Sequence, residues 1–470
     1  MKYQTKLGIM LGYFALAIIL STTTASACST FKLQKGDGLV YGHNLNQGDM
    51  GVPGLLMINQ RSIFKTGRTW SELTTKDELN PSNHSWISRY GSITFNCFGK
   101  DLPDGGMNEA GLVIWEMSDD IEYPQNDSLP KLAQMSWMQY ILDNYDTVDE
   151  AIQCAYDFQI DGWGWHYFVG DKAGNTAAIS FIDGEVVVNH DEDMPIPALF
   201  NSPYARELEL LNYYQDFGGS YPIDTHDPKI PRFVRAAKMI EQYKPSRNIV
   251  KYGFKMLKDL RVNDDPEWSV VFDIRKREVH FKTRMHPAIK SLSMAKIDFS
   301  NNQPSKFVNI DDVKAGNIQG KLEEYSNTKM SNFTSSFLMP LLPEQFFTSG
   351  GISTEEYLKR TSTHSDAATL EENQYFKGNW EYKKDNGEIV TYELDTNGDA
   401  VTGRVIMAGG TETFKADHLQ LIGNQLSFTY LKSNRMLVEM QAMIEGDSMA
   451  VALIGIEDFY GNYVFTRKHD

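Results

Sequence analysis

Residues 28–46 read CSTFKLQKGDGLVYGHNLN, and this stretch decides the fold of the first part of the chain. Cys28–Leu33 alternates in polarity, Lys35–Gly38 is a turn sequence, and the chain returns as a strand from Leu39. The pattern predicts a β-hairpin, because two alternating runs joined by a glycine-rich turn form two antiparallel strands. Cys28 is expected at the start of its first strand.

Residues 1–27 have the pattern of a secretory signal peptide. Two lysines are followed by the apolar stretch LGIMLGYFALAIIL, which is too short to span a bilayer comfortably, and Ala25-Ser26-Ala27 matches the A-x-A cleavage sequence. Cleavage after Ala27 would make Cys28 the first residue of the mature chain. We therefore expect an exported protein, periplasmic or extracellular, with no integral membrane segment in the mature chain.

Charge and cysteine content exclude several classes of protein. The 45 basic and 62 acidic residues give a net charge of −17, which repels nucleic acid and anionic lipid, so neither is expected as a partner. Three cysteines are too few for a disulfide framework. We interpret Cys97 and Cys154 as buried free thiols, although a bond between them would leave Cys28 unpaired. No histidine or cysteine spacing fits a metal site, and no cofactor is predicted.

Residues 28–345 contain mixed blocks of strands and helices, which predict an α+β unit and not a βαβ repeat. Two helices are expected after Pro130, and the second opens with a capping box formed by Thr147 and Glu150. Another helix is predicted from Pro231. Hairpins are predicted over 164–182, 182–189 and 267–283.

The C-terminal part differs in composition from the rest. Residues 346–374 are rich in Ser, Thr, Gly and Glu and are predicted to be a linker with a short helix inside it. Residues 375–470 contain short alternating runs broken by turn residues, typical of a small antiparallel β domain, either a barrel or a sandwich. The turn sequences are Asp385-Asn386-Gly387, Thr396-Asn397-Gly398, Gly423-Asn424 and Gly461-Asn462.

A cysteine at a mature N-terminus combines two reactive groups. Its thiol is a nucleophile, and its α-amine, with an ordinary pKa of about 8, can accept the thiol proton without a histidine. The amine can then return a proton to the leaving nitrogen of an amide. Cys28 is therefore a candidate nucleophile for amide hydrolysis.

The motifs that follow Cys28 resemble those of the choloylglycine hydrolase family. Cys28–Phe31 and Tyr41–Asn46 are similar to the family's beginning, and GGMNEAGL at 105–112, FNSP at 200–203 and PRFVRAA at 231–237 follow in the family's order. The family contains bile-salt hydrolases, penicillin V acylases and related linear-amide hydrolases. The resemblance implies the four-layer αββα fold of N-terminal nucleophile hydrolases over residues 28–345 and a small acylated amide as substrate; a homo-oligomer is left open.

The resemblance also implies roles for individual residues. Cys28 matches the nucleophile, Asn201 matches an asparagine whose amide binds the oxyanion, and Arg232 matches an arginine close to the nucleophile. Counting without gaps puts the second oxyanion donor near Ser118. Considered singly, Asn201 is equally well interpreted as a turn residue before Pro203, and Arg232 as an exposed residue of a first helical turn.

Two positions depart from the family's pattern. His43 stands where arginine is usual, and Asn46 stands where aspartate holds the nucleophile's amine. Asn46 can accept a hydrogen bond but contributes no charge, and a histidine is mostly neutral at pH 7. His43 is equally well interpreted as a histidine satisfied within a strand. The pH dependence of activity is therefore expected to be unusual.

A different class of function is left open by Cys28 itself, because lipoproteins also begin at a cysteine. The alternative is a non-catalytic surface lipoprotein or binding protein on the same fold, lipidated at Cys28. Against it, seven polar or small residues separate the apolar core from Cys28, and Ala25 stands where a lipobox has a bulky aliphatic residue.

We predict that the mature chain begins at Cys28 with a free amine and a free thiol. N-terminal sequencing and intact-mass measurement of the exported protein test this directly. A start at another residue, or a mass increased by acyl chains, would contradict a mechanism that uses the α-amine.

Overall fold

The structure is a computed structural model of the 470-residue chain. It describes residues 28–46, 52–61, 63–75, 84–262, 266–300, 303–341, 350–362, 376–384, 386–397, 400–415, 417–422, 425–431, 437–445, 448–455 and 459–468. The predicted signal peptide lies outside the described residues. From Cys28 onward, none of the described helices is long and apolar enough to cross a bilayer.

The predicted hairpin at 28–45 is confirmed and forms the second and third strands of a seven-stranded sheet, called here the first sheet. Gly36 has a φ of +58° in its two-residue turn, a conformation that glycine adopts without strain. Neighbouring strands are antiparallel except for the last pair. The order across the sheet is β14 (Ala198–Leu199), β1 (Ser29–Lys35), β2 (Gly38–Leu45), β15 (Trp268–Asp273), β16 (Glu278–Thr283), β17 (Lys290–Ser293) and β19 (Gly316–Asn317).

A second sheet of nine strands contains the predicted hairpins at 164–182 and 182–189, whereas the predicted hairpin at 267–283 is formed by β15 and β16 of the first sheet. Its order is β13 (Glu185–His190), β12 (Thr176–Ile182), β11 (Trp165–Gly170), β8 (Val113–Ser118), β7 (Gly105–Asn108), β6 (Ser92–Asn96), β3 (Leu55–Asn59), β18 (Lys306–Asn309) and β20 (Glu323–Glu324). Two short pairs complete the strands before residue 342. They are β4 (Phe64–Thr66) with β5 (Ser85–Ile87), and β9 (Lys131–Ala133) with β10 (Gln159–Asp161).

Aromatic side chains join the first sheet to the second. Phe272 of β15 stacks on Trp115 of β8 with ring centroids 5.5 Å apart, and Phe95 of β6 meets Phe281 of β16 at 5.6 Å. A Cβ on Gly105 would lie 2.0 Å from Trp115, so this position of the GGMNEAGL motif has no room for a side chain. The two sheets therefore share one apolar core.

Helices cover both sheets. The capping box at Thr147 and Glu150 is confirmed, whereas Pro231 caps its helix and does not occupy the first helical position. The fifth and sixth helices pack on the first sheet, and the second and third pack on the second sheet. The helices are α1 (Trp70–Thr74), α2 (Gln134–Asn144), α3 (Val148–Asp157), α4 (Tyr204–Leu211), α5 (Arg232–Gln242), α6 (Ile249–Asp259), α7 (Asn327–Phe333) and α8 (Thr354–Ser362).

Cys97 and Cys154 are buried and form no disulfide, which confirms their interpretation as free thiols and excludes a bond between them. Cys154 lies inside α3. Burial raises the pKa of both thiols.

Residues 376–468 form a nine-stranded antiparallel sheet in which the first strand pairs with the last. Its apolar core consists of side chains from Phe376 to Phe465. The Gly423-Asn424 turn lies outside the described residues, as do Gly398 and Asp385. The prediction of a turn at Gly461-Asn462 is wrong, because both residues lie within the last strand. The pairing of that strand with its neighbour is irregular next to Gly461. The order is β24 (Gly410–Lys415), β23 (Ala400–Met407), β22 (Ile389–Asn397), β21 (Gly378–Lys383), β29 (Phe459–Arg467), β28 (Ser448–Gly455), β27 (Leu437–Glu445), β26 (Gln425–Leu431) and β25 (Asp417–Ile422).

The helix inside the predicted linker, α8, packs on the part of the chain that precedes it. Tyr357 is fully buried, and together with Ile352 it belongs to the core beneath the second sheet. The Arg360 guanidinium donates hydrogen bonds to the carbonyls of Glu72 and Thr75 at 2.7 and 2.6 Å. α8 is therefore held by apolar burial and by charged hydrogen bonds.

Tyr357→Ala should lower the free energy of unfolding by about 3 kcal/mol or more, because it removes a fully buried aromatic ring. Urea unfolding followed by circular dichroism measures the effect. The matched control is Tyr156→Ala on α3, where the side chain is 50% exposed and the cost should be below about 1 kcal/mol. Equal costs for the two variants would mean that α8 is not docked in solution.

Candidate active site

Cys28 lies directly before β1 and is fully buried. The register of the hairpin pairs Ser29 with Asn44 and Thr30 with His43. Side chains alternate along a strand, so Thr30 faces the second sheet, where its hydroxyl contacts the Met117 sulfur at 3.0 Å. Cys28 continues this alternation. The candidate nucleophile therefore lies at the end of the hairpin, where the two sheets face each other.

Arg232 connects Cys28 to a second segment of the chain. One guanidinium nitrogen donates to the Cys28 carbonyl at 2.8 Å and to the Ser29 hydroxyl at 3.1 Å. The other donates to the side-chain oxygen of Asn201 at 3.1 Å. The guanidinium carbon also lies 5.0 Å from the centre of the Phe200 ring. The planar guanidinium of Arg232 thus holds Cys28, Ser29 and Asn201 together.

The Asn201 side chain has a fixed orientation. Its Oδ1 accepts from Arg232, and its Nδ2 donates to the Ser118 carbonyl at 2.9 Å. Because an arginine only donates and a carbonyl only accepts, the two ends of the amide cannot be exchanged. An amide nitrogen carries two hydrogens, so Asn201 Nδ2 has a second one to offer to an oxyanion. Ser118 therefore contacts Asn201 through its main-chain carbonyl.

The charge of Arg232 faces two acidic groups. Burial lowers the pKa of Arg232 to about 10, while the Cys28 thiolate and the Glu207 carboxylate oppose that effect. In turn, burial raises the pKa of Glu207, and Arg232 opposes it. Glu207 was missed by sequence reasoning, since one acidic residue in a helix has no distinguishing pattern. Its position six residues after Asn201, in α4, was the only available signal.

His43 is fully buried between the two sheets. Its ring stacks on Trp115 with centroids 4.1 Å apart, and Nδ1 lies 2.8 Å from the Thr30 hydroxyl. Burial lowers the pKa of His43 to about 3, so the ring is neutral at any pH near neutrality. Its Nε2 is buried and has no hydrogen-bond partner among the residues that the structure describes. His43 is thus only partly satisfied within its strand and brings no charge to the site.

Asn46 follows β2 and is almost fully buried. Its Nδ2 donates to the Val262 carbonyl at 3.4 Å, which directs the amide nitrogen toward the loop after α6. Asn46 lies two residues beyond Asn44, which forms the last pair of the β1–β2 ladder with Ser29. A role beside the amine of Cys28 stays a prediction.

The GGMNEAGL motif builds the second sheet and does not supply a side chain to this cluster. Asn108 accepts from the amides of Ala110 and Leu112 at 3.1 and 2.9 Å, which closes the turn between β7 and β8. Glu109 forms an ion pair with Arg61 at 2.8 Å. The motif therefore positions β8, the strand that ends at Ser118.

Among the described residues, one cluster has ligand atoms close enough to hold a metal: Asp273, Glu278 and His280. It lies at the turn of the β15–β16 hairpin, at the opposite end of β15 from the strand positions that flank Cys28. Lys276 forms an ion pair with Asp273 at 3.3 Å, and His280 contacts Glu278 at 3.2 Å.

The chain is similar to known amide hydrolases. A penicillin V acylase of Pectobacterium atrosepticum is 27% identical over 264 residues, which are 46% of this chain and 69% of that protein. A penicillin V acylase structure from Agrobacterium tumefaciens superposes with a TM-score of 0.56 at 22% identity, over 64% of this chain and 98% of that one. A conjugated bile acid hydrolase variant from Clostridium perfringens gives 0.45 at 18% identity, over 61% and 98%. No model of a known protein family matches the chain.

Arg232→Gln should make the Cys28 thiol harder to ionise, because it removes the positive charge that favours a thiolate. The pH profile of alkylation by iodoacetamide should move upward by about one pH unit or more. Cys97 and Cys154 should not react near neutral pH, since the pKa of each of these thiols is raised.

The control for net charge is Arg247→Gln, whose guanidinium lies over the ring of Tyr252. It should leave the alkylation profile unchanged. Circular dichroism must show that both variants are folded. An unchanged profile in folded Arg232→Gln would contradict an electrostatic role for Arg232 at Cys28.

Proposed function

We propose that the chain is a member of the choloylglycine hydrolase family and hydrolyses linear amides through Cys28, and its similarity to a penicillin V acylase supports this. The substrate class is a small acylated amine, and the bond cleaved is a non-peptide C–N bond. The proposal includes export, removal of residues 1–27, the four-layer arrangement of the family fold and the division of the chain at residues 346–374.

One observation carries the proposal: a single guanidinium contacts both the nucleophile's residue and the oxyanion donor. Arg232 holds the Cys28 carbonyl at 2.8 Å and the Asn201 amide oxygen at 3.1 Å. A thiol, a fixed amide donor and a cation that favours thiolate are the groups that acyl transfer requires. Residues from three separate segments meet here, which supports a shared chemical role.

The proposed reaction has two steps. The α-amine of mature Cys28 accepts the thiol proton, and Sγ attacks the substrate carbonyl to form a tetrahedral oxyanion, which receives a hydrogen bond from Asn201 Nδ2. The C–N bond then breaks, and the α-ammonium gives its proton to the leaving amine. Water attacks the acyl-thioester in the second step, the amine accepts one of its protons, and the carboxylic acid leaves as the thiol forms again.

His43 and Asn46, the two departures from the family's pattern, affect the ionisation of the Cys28 α-amine. A carboxylate beside an ammonium raises its pKa, whereas an amide only orients it. With Asn46 in the aspartate's place, the amine should lose its proton at a lower pH than in a carboxylate-containing enzyme. His43 supplies no compensating charge, because burial holds its pKa at about 3.

Cys28→Ser should abolish most hydrolysis while the fold is kept, because an alcohol is far less ionised than a thiol near neutral pH. We would test mature protein against a panel that contains penicillin V, conjugated bile salts, N-acyl amino acids and N-acyl lactones. The matched control is Cys154→Ser, a buried thiol in α3. Retained turnover in Cys28→Ser would show that the nucleophile is misassigned.

The same experiment separates the rival function. A non-catalytic lipoprotein or binding protein would cleave no member of the panel and would carry a lipid on Cys28. Mass spectrometry of the mature protein and the turnover assay together distinguish the two outcomes.

A further inference from the structure

The segment that contains Asn201 is tied to the second sheet by two hydrogen bonds. Asn201 follows β14, the edge strand of the first sheet. Its side chain donates to the Ser118 carbonyl, and the carbonyl of the preceding residue, Phe200, lies 2.5 Å from His166 Nε2. Ser118 and His166 belong to the neighbouring strands β8 and β11. Both bonds therefore cross from one sheet to the other within one residue of the candidate oxyanion donor.

His166 is fully buried and faces an acidic partner. Its Nδ1 lies 3.4 Å from Oδ2 of Asp119, whose side chain is only 8% exposed. Asp119 directly follows Ser118, and its amide donates to the Gly164 carbonyl at 3.3 Å. The main chain thus fixes the imidazole and the carboxylate in one corner of the second sheet.

The chemistry of this pair determines where its protons lie. A carbonyl only accepts hydrogen bonds, so His166 Nε2 must carry the hydrogen that binds Phe200. When Nδ1 also carries a hydrogen, the ring is a cation whose Nδ1–H faces the Asp119 carboxylate, and this attraction favours the orientation in which Nε2 points at the carbonyl. Burial lowers the pKa of His166, and the Asp119 carboxylate and the Phe200 carbonyl oppose that effect. Burial and the charge of Asp119 raise the pKa of Glu207, and the charge of Arg232 opposes that effect.

We propose that His166 and Asp119 are positioning residues for Asn201: Asp119 orients the His166 ring, and His166 holds the Phe200 carbonyl so that the Asn201 amide is directed at the oxyanion. The inference rests on the proposed function for its catalytic meaning. Neither residue touches the reacting atoms in this arrangement. His166 controls the main chain on one side of Asn201, while Ser118 and Arg232 control the side chain.

Two variants of His166 separate the effect of losing its hydrogen-bond donor from the effect of losing its side-chain volume. His166→Gln retains a nitrogen donor near the place of Nε2, whereas His166→Leu fills similar space without a donor. In crystal structures, the Asn201 amide should stay within hydrogen-bond distance of the Ser118 carbonyl in wild type and in His166→Gln, and should move away in His166→Leu. An unmoved Asn201 in His166→Leu would overturn the proposal, whatever the activity of the protein.

Kinetics with a substrate from the panel give the second readout. His166→Leu should lower kcat by about 10- to 100-fold, the range found for residues that orient functional side chains, with KM changed less than about threefold. His166→Gln should recover most of kcat. Asn201→Ala sets the upper limit at about 100-fold or more, the usual cost of losing one oxyanion donor. A loss confined to KM, or no rescue by His166→Gln, would contradict a positioning role.

Variants of Asp119 test the other member of the pair, and a variant of the surface residue His190 is the control. Asp119→Asn keeps an amide that can accept a hydrogen bond from Nδ1–H and should retain kcat within about threefold, whereas Asp119→Ala should behave like His166→Leu. His190 and Asp191 form a surface pair at 3.0 Å at the end of β13, and His190→Leu should leave kcat unchanged. Should wild type cleave nothing while Asn201 moves in His166→Leu, the proposed function fails and the positioning of Asn201 stands.

Discussion

A single guanidinium joins three segments that are far apart in the sequence. Arg232 begins α5, Cys28 and Ser29 begin the central hairpin, and Asn201 follows the edge strand of the same sheet. Leaving one partner of such a buried charged contact unpaired costs several kcal/mol, so the three segments are constrained to one arrangement. Two sheets, their shared aromatic core and the helices above them serve to bring these ends together.

Arg232 binds Cys28 through its carbonyl group and not through its α-amine. The Arg232 contact is made to the Cys28 carbonyl, an atom whose bonding does not change when a preceding residue is removed. Under the proposed maturation, the oxyanion donor and the cation would thus be assembled in the precursor. Removal of the leader would supply the one missing group, the base, to a site already built.

Much of the frame could be predicted because it is encoded locally. The hairpin turn at Gly36, the capping box at Thr147 and the burial of Cys154 depend on neighbouring residues, whose patterns are visible in the sequence. The positions of Asn201 and Arg232 were reached through the family resemblance, and their contact depends on packing between distant strands and helices. Glu207 and the His166–Asp119 pair could not be predicted for the same reason. A histidine inside an apolar strand indicates burial but does not indicate what its two nitrogens face.

Sequence patterns also failed where tertiary structure overrides local chemistry. Gly461-Asn462 is a turn sequence, yet it continues as a strand, because β28 pairs along most of its length with β29. The helix at 354–362 lies in a polar stretch, but Tyr357 and Arg360 attach it to the preceding part of the chain. Two residues with distant partners therefore dock this helix on the preceding part of the chain.

The pairing of β21 with β29 has a kinetic consequence. Trp380 lies opposite Arg467, so the first strand of the C-terminal sheet obtains one of its neighbours only from the end of the chain. The hairpins between them can form early, since each joins adjacent strands, but the closing ladder must await the last strand. Contacts of such long sequence separation slow folding. On the ribosome, β21 would present an unpaired edge through almost all of the segment's synthesis, and that edge is where mispairing with another copy would begin.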